Sequence, residues 1–199
     1  MDDIKRVETV LSDFNKEFRS NTFDFLYESD IKSRIFSKLY DSFKESIQAE
    51  AKYHSAKNYR EEGLINTSRV KSEYPSRKLF DISILKQNNQ IYTNELDPIL
   101  LQNDIFWILP ISIALQLKYL QLGDNPIRKV KDFLSDIFSL KAEIINGKLD
   151  YGYALFFIQS YDENILSKVS DIIETEDQIF YDSLSIHIIS PHQILRINK

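Results

Sequence analysis

The stretch Ile111-Ser-Ile-Ala-Leu-Gln-Leu-Lys-Tyr119 decides the fold of this chain. Its apolar residues alternate with Ala114, Gln116 and Lys118, which is the pattern of a β-strand whose successive side chains point to opposite faces of a sheet. A lysine two residues after an oxygen-bearing side chain, on the same strand face, suits metal-assisted phosphodiester cleavage. The oxygen helps to hold a divalent cation, and the ammonium orients or activates the attacking water. The alternative is an edge strand whose second face is simply polar.

The composition is that of a globular protein. The chain has 199 residues, 43% of them hydrophobic and 28% charged, which is enough for one domain with its own core. Its four glycines never form Gly-x-Gly, which argues against P-loop and Rossmann phosphate sites. The chain has no cysteine and its N-terminus lacks the pattern of a signal peptide, so we expect a cytoplasmic protein without a membrane span. The formal charge of −5 does not discriminate between functions.

The hydrophobic periodicity predicts an α/β order of elements. In chain order, we expect helices at 2–19 and from about 24 into the forties, strands at 69–74, 79–85 and 111–119, a helix at 127–145, a strand at 153–158, a helix at 162–174 and a strand at 184–190. We expect one domain over 1–199, with an N-terminal helix at 1–20, a motif-bearing core at 24–160 and a C-terminal helix and strand at 161–199. Its fold would be a mixed sheet of about five strands with helices on both faces.

Three acidic residues are candidates for a site. Asp81 falls within a predicted strand, where aspartate is disfavoured, so it is either functional or a solvated hairpin edge. Glu28 falls on the apolar stripe of its helix and is either a helix-dipole partner or an active-site acid. Glu73, on the preceding predicted strand, is either a metal ligand or one half of an ion pair with Arg69 or Lys71.

In this order the pieces resemble the PD-(D/E)XK, or restriction-endonuclease-like, nuclease superfamily. The resemblance covers roughly residues 24–160 and runs through Phe25-Leu-Tyr-Glu28-Ser-Asp-Ile31, Ser72-Glu-Tyr-Pro75, Lys78-Leu-Phe-Asp81-Ile-Ser-Ile84 and Ala114-Leu-Gln116-Leu-Lys118. It implies that Glu28 is the helix acid, Asp81 the central metal-binding aspartate and Lys118 the lysine of the second motif.

The resemblance also implies a Mg²⁺ site, with Mn²⁺ as a possible substitute. The implied ligands are Asp81, Gln116, the carbonyl of Leu117, and Glu28 or Glu73. Most members carry Glu or Asp in place of Gln116, and an amide oxygen can bind Mg²⁺ but contributes no charge. We therefore expect weak metal affinity. Lys118 would orient the attacking water and stabilise developing charge during hydrolysis of DNA.

Basic residues flank the predicted site. The candidates for phosphate contacts are Arg69, Lys71, Arg77, Lys78, Arg128, Lys129 and Lys131. They are alternatively a solvated charged surface. Two other interpretations of the chain stay open: a non-catalytic domain of the same fold that acts as an interaction or regulatory subunit, with the N-terminal helix as a dimer or partner surface, and an unrelated α/β binding domain.

Overall fold

A computed structural model describes residues 2–43, 80–85, 111–147, 149–175 and 181–197. Within these ranges the chain forms four α-helices and one mixed five-stranded sheet, which confirms the predicted single-domain α/β fold. The helices are α1 (Asp2–Ser20), α2 (Glu28–Phe43), α3 (Pro126–Ile145) and α4 (Glu163–Glu174), with a short 3-10 helix at Thr22–Asp24. The strands are β1 (Ile82–Leu85), β2 (Ile111–Leu120), β3 (Leu149–Ile158), β4 (Leu184–Ile189) and β5 (Ile194–Ile197).

The strands lie side by side in chain order, from β1 to β5. The three central strands, β2, β3 and β4, are parallel, whereas β1 and β5 are antiparallel to their neighbours. Parallel neighbours need a crossover connection, and the helices α3 and α4 lie between them in the chain. The central strand β3 packs against α3 and α4 on one face and against α1 and α2 on the other, which explains its nearly continuous apolar sequence.

Strand alternation divides the interior into two cores. The odd-numbered residues of β2, from Ile113 to Tyr119, join the buried residues of α1 and α2 on one face of the sheet. Ala114 and Leu120, at even positions, join the buried residues of α3 and α4 on the other face. The predicted alternation of this strand is therefore correct, and helices cover both of its faces.

Local sequence signals fix the position of α3, which carries part of the candidate site. Asn125 caps its N-terminus by accepting a hydrogen bond from the N–H of Arg128 at 3.2 Å, and Pro126 occupies the first turn. Gly147 follows the helix with a φ of +69°, a conformation that glycine adopts without the steric cost of a Cβ. The sequence predicted this helix at 127–145, which is close to its observed bounds, although the apolar Ile127 and Phe138 are 55% and 39% exposed.

The predicted strand at 79–85 begins later than expected. The chain bends at Asp81, and the regular strand starts at Ile82. Phe80 is buried with α3 and α4, whereas Ile82 is buried with α1 and α2. A regular strand over 79–85 would place Phe80 and Ile82 on one face, but the bend at Asp81 places them on opposite faces.

The C-terminal segment holds one more strand than predicted. After the turn at Pro191 and His192, the short strand β5 pairs with β4 and forms an edge of the described sheet. The predicted strand at 69–74 lies outside the described residues. No helix in the described part of the chain is long and apolar enough to cross a bilayer.

The apolar side of the N-terminal helix α1 packs inside the domain. Val7, Leu11, Phe14 and Phe18 are all buried against the sheet and α2. Any partner would therefore have to meet the opposite, polar side of α1, and a dimer or partner surface there stays a prediction.

Candidate functional site

The site is built at the point where β1 stops pairing with β2. Ile82 is opposite Leu115 in the antiparallel ladder, so the backbone N–H groups of Leu117 and Tyr119 extend beyond the regular pairing. Side-chain carboxylates take the place of the missing strand. Asp81 accepts a hydrogen bond from the N–H of Leu117 at 2.7 Å, and Glu28 accepts one from the N–H of Tyr119 at 3.2 Å.

Lys32 joins these two carboxylates. Its ammonium lies 2.6 Å from Oδ1 of Asp81 and 2.8 Å from Oε1 of Glu28. Each carboxylate thus uses one oxygen for the edge of β2 and the other for the same ammonium group. The side chains of Lys32, Asp81 and Glu28 are 22%, 18% and 26% exposed, so the cluster is half-buried and open to solvent on one side.

Lys118 is held by a residue of α3. Its ammonium lies 2.9 Å from Oδ2 of Asp136. Lys118 therefore projects from the face of β2 that meets α3, as the alternation predicted. Gln116 is on the same face by strand periodicity and is almost fully buried.

The five charged groups act on one another. Burial alone would lower the pKa of Lys32, but Asp81 and Glu28 outweigh it and hold this pKa above the ordinary value of 10.5. Burial would also lower the pKa of Lys118, but Asp136, followed by the charges of Glu28 and Asp81, raises it above 10.5. The site therefore couples the edge carboxylates to the lysine on the α3 side.

The negative charges of the neighbouring carboxylates affect the pKa of Asp136. Burial raises its pKa above the ordinary value of 3.8, and the carboxylates of Asp81 and Glu28 raise it further, which together outweigh the opposing effect of Lys118. Among the described residues, three carboxylates face two ammonium groups here, and the negative charges of Asp81 and Glu28 favour the protonated form of Asp136. One additional positive charge would relieve this imbalance.

One of the predicted neutral metal ligands, the carbonyl of Leu117, lies on the edge of β2 that Asp81 binds. The N–H that Asp81 binds belongs to the peptide unit between Gln116 and Leu117. The carbonyl of Leu117 faces the same edge as its N–H, because both groups of one residue point to the same side of a strand. Among the described residues, no group of three or more His, Cys, Asp or Glu side chains is arranged to hold a metal ion. A metal here would therefore need these neutral oxygens in addition to two carboxylates.

Only part of the predicted phosphate-binding set lies within the described residues. Arg128 and Lys131 are exposed on the first turns of α3, and Lys129 lies 3.5 Å from Asp124 in an ion pair. The other predicted contacts, Arg69, Lys71, Arg77 and Lys78, and the candidate ligand Glu73 lie outside the described residues.

Sequence reasoning missed Lys32 and Asp136. Lys32 follows Glu28 by four residues, a spacing that brings the two side chains together on a helix. Asp136 lies three residues after Phe133 and four before Leu140, both buried. It therefore lies on the buried face of α3. An acid on the buried stripe of a helix was the available signal.

The buried histidine does not belong to this site. His187 is 1% exposed, and burial, with the charge of Arg196, lowers its pKa to about 4. Its Nδ1 atom has no hydrogen-bond partner among the described residues. The neutral imidazole lies in β4, edge to face with the ring of Tyr153, and packs as part of the interior.

Comparison with protein-family models, with curated proteins and with solved structures found no match to this chain.

Proposed function

We propose that this protein is a metal-dependent nuclease that hydrolyses phosphodiester bonds, with DNA as the expected substrate. The observation that supports it most is the joint position of Asp81 and Glu28. Elements distant in the sequence bring both carboxylates to the N–H groups of Leu117 and Tyr119, the residues that flank Lys118. Two carboxylates and a lysine at one strand edge are the groups that metal-assisted hydrolysis of a phosphodiester requires.

The donor set suits a hard divalent cation. Asp81 and Glu28 already direct one oxygen each at a single cationic group, the ammonium of Lys32. The carbonyl of Leu117 and the amide of Gln116 would supply neutral oxygen ligands, which Mg²⁺ and Mn²⁺ accept. When bound, such an ion would supply Lewis-acid polarisation of the phosphate and a source of hydroxide.

Lys118 acts in this proposal as a donor and not as a base. Because its pKa lies above the ordinary value, the side chain stays an ammonium at neutral pH. It would donate a hydrogen bond to the attacking water or to a phosphate oxygen and stabilise the charge that develops there. Asp136 would fix the direction of the ammonium through their 2.9 Å contact. Arg128 and Lys131, exposed on α3, would contact phosphates on either side of the cleaved bond.

The test is incubation of the purified protein with supercoiled plasmid DNA and Mg²⁺ or Mn²⁺. We expect nicked and linear products that require the metal. Lys118→Ala should eliminate cleavage, whereas Lys168→Ala, the same change at an exposed position of α4, should leave it intact. Cleavage that persists at the wild-type rate in Lys118→Ala would exclude the proposed role of Lys118.

A second candidate is a non-catalytic interaction domain. It is favoured by a group of exposed apolar side chains in the loops that follow β2 and β3 and precede α2. The group comprises Phe23, Leu26, Tyr27, Leu122 and Tyr161. The ring centroids of Phe23 and Tyr161 lie 5.8 Å apart with the rings tilted by 31°, and the N–H of Leu122 donates to the side-chain oxygen of Gln159 at 2.9 Å. Exposed apolar patches mark interaction surfaces. A wild-type protein that neither binds Mn²⁺ nor cleaves DNA or RNA would favour this candidate.

A further inference from the structure

Lys32 occupies a position that two carboxylates define. Asp81 and Glu28 each commit one oxygen to a backbone N–H of β2, which fixes the orientation of both carboxylates. Their remaining oxygens, Oδ1 and Oε1, lie 2.6 and 2.8 Å from the same Lys32 nitrogen. The two oxygens that face the interior of the site are therefore arranged around one positive charge.

A divalent cation that uses the same oxygens would have to take the same place. Mg²⁺ and Mn²⁺ bind carboxylate oxygens at about 2.1 Å, which leaves no room for an ammonium within hydrogen-bonding distance of both. The metal ion and the ammonium of Lys32, if both contacted the same carboxylates, would also repel each other strongly in this half-buried site. Occupation by Lys32 and occupation by a metal therefore exclude each other.

We propose that Lys32 is a tethered counter-ion that competes with the divalent cation for Asp81 and Glu28. This inference rests on the proposed function, because it concerns the same carboxylates. Lys32 lies one turn after Glu28 in α2, and its flexible four-carbon stem allows the ammonium to leave while the helix stays in place. Without metal, it prevents two carboxylates from facing each other uncompensated. The metal must displace it, which weakens apparent affinity.

The test is isothermal titration calorimetry of Mn²⁺ into the full-length protein after treatment with a chelator. We expect Lys32→Met to bind Mn²⁺ at least about tenfold more tightly than the wild type, because a competing unit charge has been removed. Lys38→Met is the matched control, since it removes another α2 lysine that pairs with a carboxylate, Glu17 at 2.8 Å. It should leave Mn²⁺ affinity unchanged. In the double variant Lys32→Met/Asp81→Asn, the gain should be lost.

Mn²⁺ affinity that is equal in Lys32→Met and the wild type, or a gain that survives Asp81→Asn, would overturn the proposal. If Lys32→Met shows no cooperative thermal transition, Lys32→Gln replaces it, with the same expected gain and the same contrary outcomes. The outcome is separable from the proposed function. Tighter Mn²⁺ binding by Lys32→Met without DNA cleavage would support competition between Lys32 and the metal and would exclude the nuclease function. DNA cleavage with unchanged Mn²⁺ affinity in Lys32→Met would support the nuclease function and exclude the competition.

Discussion

The two faces of β2 carry different kinds of interaction on one backbone. On the face toward α1 and α2, Leu115, Leu117 and Tyr119 are fully buried, and the hydroxyl of Tyr119 donates to the carbonyl of Phe25 at 2.7 Å. On the face toward α3, Lys118 is half-buried in an ion pair. The first face gains stability from apolar burial. The second brings charges out of water, which costs free energy unless each charge has a partner.

The contrast between an apolar face and a charged face of β2 predicts different effects of substitution on each. Together with the cluster of Lys32, Asp81 and Glu28 at the edge of β2, the pair of Lys118 and Asp136 brings three carboxylates against two lysines among the described residues. The pKa of Asp136 is raised by burial and by its acidic neighbours. Groups with perturbed pKa values in a partly open site are candidates for function. We therefore expect substitutions on the apolar face to affect folding, and substitutions on the charged face to affect activity and metal binding.

The largest effect on stability is expected for Leu117→Ala. Leu117 has no exposed surface, so its truncation removes buried apolar contacts and leaves a cavity, which should cost about 2–5 kcal/mol in the free energy of unfolding. Chemical denaturation measures this directly. Leu122→Ala is the matched control, because Leu122 is 73% exposed and its truncation should cost less than about 0.5 kcal/mol. A cost no larger for Leu117→Ala than for Lys118→Ala would mean that the faces of β2 are assigned backwards.

A smaller effect is expected for Gln116→Glu, in the free energy of metal binding. The substitution adds a carboxylate to the proposed donor set and should tighten Mn²⁺ binding by about tenfold, or about 1.4 kcal/mol, while any cleavage activity is retained. Calorimetry measures the change. Unchanged affinity for both Mn²⁺ and Mg²⁺ would show that Gln116 is not a ligand.

Lys118→Ala should cost little stability, about 1 kcal/mol or less, because its ammonium lies in a half-buried pair that is accessible to solvent. Thermal melts of Lys118→Ala and of the exposed Lys168→Ala should therefore lie close together, although only the first loses cleavage. A loss of stability for Lys118→Ala comparable to that of a core truncation would give Lys118 a structural role.

The smallest effect is expected for Asp136→Asn, and it depends on pH. Because the pKa of Asp136 in the folded protein lies above its ordinary value of 3.8, its ionisation costs stability as the pH rises through the range just above 3.8. The asparagine variant lacks this cost. The stability of the wild type relative to Asp136→Asn should therefore fall between acidic and neutral pH, and chemical denaturation at several pH values measures the difference. The opposite slope would mean that the pair with Lys118 dominates.

Asp132→Asn is the control for this experiment. Asp132 is exposed on the same helix, so its replacement should give a difference in stability from the wild type that changes little with pH. A pH slope equal to that of Asp136→Asn would assign the effect to the charge of the helix as a whole.

Much of the fold follows from the sequence because alternation and helical periodicity report burial directly. The faces of β2 and the stripe of α1 were predicted correctly for this reason. Asp81 was predicted to lie within a strand, but it lies at a bend just before β1, and a period-two pattern does not detect such a bend. The strand β5 was missed because four residues after a proline-containing turn carry too little periodicity.

The site was predicted less completely than the fold. Glu28 was expected to point inward, and it does, but its contact is a backbone N–H of Tyr119, which no sequence pattern specifies. The four-residue spacing of Asp30 and Arg34 would allow an ion pair on the surface of α2, yet Asp30 accepts hydrogen bonds from the N–H groups of Leu26 and Tyr27 at 2.9 and 2.8 Å. Arg34 instead pairs with Glu17 of α1. Charge pairs between elements depend on packing angles, and local spacing does not determine those.

Metal-dependent DNA cleavage at Asp81 is measured by the rate at which the protein cleaves a double-stranded oligonucleotide as Mg²⁺ is varied, in the wild type, Asp81→Asn and Asp132→Asn. We predict cleavage that rises with Mg²⁺ in the wild type and in Asp132→Asn, and a loss of at least about 100-fold in Asp81→Asn. Equal rates in Asp81→Asn and the wild type, or a folded wild type that shows no cleavage at any Mg²⁺ concentration, would contradict it.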